Sequence, residues 1–146
     1  MIRTGIIVIM NSPEAGTSRG IGDPVAGRAL RARAQGRATD KLGEALAALD
    51  PDLLEYADGF IFGSVWNEHP DLPFEDRMLV AITALATTGQ TTQLGNYLHG
   101  ALQDGIRPAR IKEALKMLVV YAGFPTAINA LATFDAVAAK YPPSGD

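Results

Sequence analysis

From Val25 onward, helix-starting and helix-stopping residues punctuate the chain at intervals suited to short helices, and no strand-like alternation follows residue 24. Val25–Gln35 reads as an Ala/Arg-rich helix. Thr39 or Asp40 is placed to cap the next one, whose apolar stripe is Leu42, Ala45, Leu46 and Leu49. Asp50-Pro51 is an N-cap followed by proline at the first helical position. The helix it opens is expected to run to about Phe62 and stop near Gly63. Pro70 and Pro73 make residues 66–74 a loop. Phe74 or Glu75 then opens a helix with Leu79, Ile82 and Leu85 on one face and Gly89 as its stop. Thr91 or Thr92 opens another, ending at Asp104-Gly105. Arg107-Pro108 starts the next, with Ile111, Leu115, Leu118 and Val119 as its stripe. Gly123-Phe124-Pro125 starts a last helix reaching about Lys140, before Pro142-Pro143. The fold class is all-α: a bundle of about six to seven helices with connections short enough to favour antiparallel neighbours.

Residues 1–24 carry several Gly and Pro and no helical period, so a flexible N-terminal arm is expected there and a single helical domain over 25–146. A chain of 146 residues is long enough to bury a core without a metal or disulfide. Met78–Ala86 and Leu115–Phe124 are apolar around most of their circumference. A domain this small cannot cover both faces of such helices, so a homo-oligomer is expected. The first 37 residues carry a net charge of +4, with Arg19, Arg28, Arg31, Arg33 and Arg37 among them, against −7 for the rest. This Arg cluster reads as a solvated face or a contact to an acidic neighbour, and nucleic acid is not an expected partner. The apolar run Gly5–Met10 is shorter than a signal-peptide core, and no stretch approaches the roughly 20 apolar residues of a membrane span. A cytoplasmic protein with no membrane partner is expected. The chain has no Cys, which closes thiol-based redox and peroxide chemistry.

No phosphate-binding Gly loop, HExxH or GxSxG motif is present, so candidate chemistry rests on single side chains. His99 is one of two histidines and titrates near neutrality; it is either an acid/base or a satisfied structural imidazole. Glu68-His69 lies in the proline-containing loop, as an acid/base pair folded over a pocket or as two solvated neighbours. Glu68, His69 and His99 lack helical ligand spacing, so no metal site is assigned. Trp66, Phe60 and Phe62 either wall a substrate pocket or pack in the core. Arg77 offers a planar fork to a carboxylate, or serves the helix surface. Tyr121 and Asn129 flank the Gly123-Phe124-Pro125 break, and an Asn in an apolar helix needs hydrogen-bond partners, whether backbone or ligand.

Four phrases taken in order are FIFGSVW from Phe60, EDRMLVAITALATTG from Glu75, LHGALQDG from Leu98 and VVYAGFPTAINAL from Val119. Together they resemble the carboxymuconolactone decarboxylase family within the alkylhydroperoxidase-D-like fold, over about Phe60 to Val137 and weakly back to Asp40. The resemblance implies a ring-like homo-oligomer, a trimer or hexamer, with no metal or organic cofactor. In the family's peroxidase branch a CxxC pair precedes a His; here the matching helix reads Gly95-Asn96-Tyr97-Leu98-His99-Gly100, without sulfur. In the decarboxylase branch a His stands eight residues before the Gly that is Gly105 here, with a basic residue two positions later. Those positions hold Tyr97 and His99, so the imidazole is displaced by about 200° around the helix. The implied function is a cofactor-independent lyase acting on a small cyclic carboxylic acid or lactone, carboxymuconolactone-like or polyketide-like. Tyr97 would stabilise an enolate, His99 would protonate it, and Glu68 would assist. A proton-transferring isomerase or cyclase, and a non-catalytic oligomeric ligand-binding protein, are the alternatives.

Overall fold

A computed structural model describes residues 22–67 and 71–142. The expected arm lies outside them as far as residue 21, and so do Glu68 and His69. The described residues are helical: α1 (Pro24–Gln35), a 3₁₀ turn (Gly36–Ala38), α2 (Thr39–Leu49), α3 (Pro51–Glu55), a π-wound segment (Tyr56–Val65), α4 (Phe74–Thr87), α5 (Thr91–Gln103), α6 (Pro108–Tyr121) and α7 (Phe124–Ala138). No strand occurs among them.

The core is built from one stripe of each of the last four helices, joined by Ala34 of α1 and Phe62 of the π-segment. Met78 and Ile82 of α4, Leu98 and Ala101 of α5, Ile111 and Leu115 of α6, and Ala127 of α7 are each 0% exposed. Burying a side chain of the Leu, Ile or Met class contributes about 1.5–3 kcal/mol, so this layer sets the positions of the helices. The α6 stripe runs Ile111, Leu115, Leu118. Val119 was expected to share it and instead stands 38% exposed, because it falls beyond the edge of the arc that faces α4 and α7. The outward faces keep their apolar residues: Val80, Met117, Val120, Tyr121, Phe124 and Ile128 are all largely exposed.

Three helix boundaries differ from expectation. α2 begins at Thr39 without a side-chain cap, since the Thr39 hydroxyl accepts a hydrogen bond from Arg31 Nη1 at 3.1 Å instead. α7 ends at Ala138 rather than Lys140. The helix opened by Asp50, whose side chain accepts from Asp52 N–H, does not stop near Gly63. It changes to i→i+5 winding at Tyr56 and continues to Val65, closing with Trp66 N–H on the Ile61 carbonyl at 2.9 Å.

Long π-winding is rare, and here α1 braces it. Gly27 lies so close to this coil that a Cβ on it would meet the Gly63 backbone at 2.6 Å. Arg31, only 2% exposed, donates to Asp58 of the coil at 2.5 Å and to the Thr39 carbonyl at 2.9 Å. One buried guanidinium therefore ties α1, α2 and the π-segment together. The other α1 arginines also face carboxylates: Arg28 lies 3.5 Å from Asp40, and Arg33 lies 2.6 Å from Asp104.

Candidate active site

Helix α5 carries Tyr97 and His99 two residues apart, so they leave the helix on different sides and meet different neighbours. Gly89, at φ 73°, reverses the chain between α4 and α5. Leu94, Leu98 and Ala101 then fix the rotation of α5 by burying against the core.

Tyr97 faces aromatic carbon. Its ring centroid lies 6.3 Å from that of Trp66, which in turn stacks obliquely on Phe62 at 5.1 Å and on Phe74 at 5.8 Å. The Phe74 ring is also covered by the Arg33 guanidinium, 3.8 Å from the ring centroid. That guanidinium is held in turn by both Asp104 oxygens, at 2.6 and 3.0 Å. Burial in this wall pushes the Tyr97 phenol up to about 12. Its hydroxyl thus stays protonated at any physiological pH, and it makes no hydrogen bond with a described residue. A phenol in this condition can donate to an oxyanion brought against it.

His99 faces polar groups. Its Nδ1 lies 2.8 Å from the Tyr141 hydroxyl, and the same hydroxyl receives Gln103 Nε2 at 2.7 Å. The two rings meet edge-on at 5.6 Å. Partial burial, and secondarily the positive charge of Lys140, lowers the His99 pKa from its ordinary value. Within one chain, then, the phenol and the imidazole have separate surroundings.

The other candidates are dispersed. Phe62 and Trp66 form the wall beside Tyr97, whereas Phe60 is 52% exposed. Arg77 is turned to the backbone, where Nε donates to the Leu72 carbonyl at 2.8 Å and Nη1 to the Val65 carbonyl at 3.0 Å. It thereby clamps the end of the π-segment to the start of α4, and its buried Nη2 has no hydrogen-bond partner among the described residues. The carboxylates of Glu75 and Asp76 pair with Arg110 instead. Asn129 lines a cleft of about 410 Å³ between α4, α5 and α7, with Thr91, Thr126 and Thr133 but neither Tyr97 nor His99. Tyr121 is 78% exposed on the outer apolar face. Among the described residues no group of three or more His, Asp or Glu side chains is arranged to hold a metal ion, and no helix is long and apolar enough to cross a membrane.

Sequence reasoning missed Phe74, Arg33, Gln103 and Tyr141. The Arg33–Asp104 pair spans 71 positions, so no local pattern signals it. Gln103 had a usable signal, because it lies one helical turn after His99.

The carboxymuconolactone decarboxylase family model matches residues 51–136, more than half of the chain and the whole run from α3 to the body of α7. The chain belongs to the carboxymuconolactone decarboxylase family. This family member is also similar to the nitrosuccinic acid decarboxylase npaB of Metarhizium robertsii, with 30% identity over 70 residues, covering 48% of each protein. It spans about half the length of that curated relative. The all-helical bundle and the decarboxylase-type family agree with what the four sequence phrases imply.

Proposed function

We propose that this carboxymuconolactone decarboxylase family member is a cofactor-independent lyase that removes carbon dioxide from a small carboxylic acid. The observation that carries the reading is the placement of Tyr97: a half-buried phenol, at the position where the family resemblance puts the active site, beside an aromatic wall. The carbon–carbon bond to the carboxylate breaks and carbon dioxide leaves. The electron pair left behind delocalises onto an oxygen. Tyr97 donates its hydroxyl hydrogen bond to that oxygen. Because Tyr97 and His99 stand on different sides of α5 within one chain, the carbon is protonated by His99 of a neighbouring copy in a homo-oligomer, and solvent restores the imidazole's proton.

Such chemistry requires an electron sink next to the carboxylate-bearing carbon. A carbonyl provides one in the lactones and cyclic acids that the family resemblance suggests. A nitro group would provide one in nitrosuccinic acid, the compound in the relative's name. Both give a carbanion whose charge rests on oxygen, so one phenol donor suits either substrate. The exposed apolar residues of α4, α6 and α7 favour a homo-oligomer, and the family resemblance suggests a trimer or hexamer. A non-catalytic ligand-binding role is the second reading. It is favoured by the Asn129 cleft, which accepts neither Tyr97 nor His99.

The test is carbon dioxide release from a panel of lactone acids, β-keto acids and α-nitro acids. Tyr97→Phe should lower turnover by about 10²–10³-fold, the usual effect of losing one oxyanion donor. His99→Gln should lower it by about 10²–10⁴-fold. Because the His99 pKa is lowered, wild-type turnover should rise as pH falls below about 6.5, where the imidazolium becomes populated. Full turnover by both variants would end the lyase mechanism drawn here. Binding without carbon dioxide release, abolished by Asn129→Leu, would establish the second reading.

A further inference from the structure

The polar side of α5 contains a chain of hydrogen bonds whose direction is set at its far end. The backbone N–H of Arg37 donates to Gln103 Oε1 at 2.7 Å. A backbone N–H can only donate, so the carboxamide is fixed with its oxygen toward Arg37 and its NH₂ toward Tyr141. That NH₂ donates to the Tyr141 oxygen at 2.7 Å. The tyrosine then has its own proton to give, and His99 Nδ1 lies 2.8 Å away. An imidazole nitrogen that accepts a hydrogen bond carries no proton, so in the neutral ring the proton lies on Nε2.

Gly36 allows the anchor to form. It sits at φ 64°, in the left-handed region, and a Cβ on it would collide with Gln103 Oε1. The chain therefore starts at the turn after α1, passes through Gln103 of α5 and Tyr141 beyond α7, and ends on His99 back on α5.

We propose that Gln103 and Tyr141 are positioning residues that hold neutral His99 as its Nε2–H tautomer and orient the ring, so that Nε2 is the nitrogen presented to substrate. This rests on the reading of His99 as proton donor, and it adds which nitrogen delivers the proton. The imidazolium gives up its Nε2 proton while Nδ1–H donates to the Tyr141 oxygen, and exchange with solvent returns the ring to its neutral Nε2–H form. Among the described residues Nε2 makes no hydrogen bond, in keeping with that role. Nδ1 is occupied by a partner that opposes its protonation.

The discriminating substitution is Gln103→Glu. It keeps the shape of the side chain but leaves an acceptor at both ends. The Arg37 N–H is still satisfied. Tyr141 must now donate to the carboxylate and can only accept from His99, so the ring is driven to its Nδ1–H tautomer. Nitrogen-15 spectra of histidine-labelled full-length protein at about pH 9, above the histidine range, read the tautomer directly, and His99→Gln identifies the signal. The wild type should show a protonated Nε2 and a pyridine-type Nδ1. Gln103→Glu should exchange the two. Tyr141→Phe, which removes the contact without adding charge, should give a mixture, and it keeps the test decisive if the Glu variant does not fold.

An Nδ1–H tautomer in the wild type, or identical spectra for the wild type and both variants, would overturn the assignment. The spectra require no substrate. They remain readable if no acid on the panel loses carbon dioxide, an outcome that would remove the lyase reading and leave the tautomer assignment standing.

Discussion

The two sides of α5 achieve order by opposite means. On the Tyr97 side, carbon packs on carbon: Phe62, Trp66 and Phe74 form a tilted stack, and the phenol's hydroxyl is left over. On the His99 side, polar atoms are paired in sequence, from Arg37 through Gln103 and Tyr141 to the imidazole Nδ1. Apolar packing supplies most of the free energy and says little about proton positions. Directed hydrogen bonds supply little net free energy but fix where a proton resides. In the proposed lyase the first kind of order would serve the oxyanion donor and the second the proton donor.

Stability measurements should separate the two sides. Phe62 is 2% exposed, so Phe62→Ala should cost about 3–5 kcal/mol in denaturant unfolding, the range for truncating a core aromatic. A loss below about 1 kcal/mol would show that the wall is not part of the core. Tyr141→Phe removes hydrogen bonds from a partly exposed residue and should cost only about 0.5–1.5 kcal/mol. A loss as large as that of Phe62→Ala would show that the polar side carries the fold as well.

The smallest effects are in pH. The His99 pKa is lowered in the folded protein, so between that value and about 6.5 the unfolded chain binds more protons. This contribution to stability is complete above about 6.5 and is lost as pH falls through the folded pKa; His99→Gln should flatten that part of the stability profile. Tyr97 has the opposite sign. Its pKa is raised to about 12, so its contribution is complete below about 10 and is lost as pH rises through the folded value. Ultraviolet titration should show one late-ionising phenol that disappears in Tyr97→Phe.

The sequence made the helices legible because their boundaries are local events: Asp50-Pro51, Gly89, Asp104-Gly105 and Arg107-Pro108 each act within a turn. It made the Tyr97 wall partly legible, since Phe62 and Trp66 lie four residues apart on one coil. The π-winding was not legible. Residues 56–65 have no local pattern demanding it, and its brace, α1, sits some thirty residues earlier. The histidine's partner was hidden for the same reason, because Tyr141 is 42 positions away. Arg77 shows the converse. Its fork was visible as a carboxylate binder, yet the nearby carbonyls of Val65 and Leu72 take two of its nitrogens.

Tyr141 lies past the last residue matched to the family and past the last turn of α7. A shorter version trimmed at residue 138 would retain every helix and look intact by circular dichroism. It would also have released its imidazole, and a catalytic defect in it would be blamed on the wrong residue.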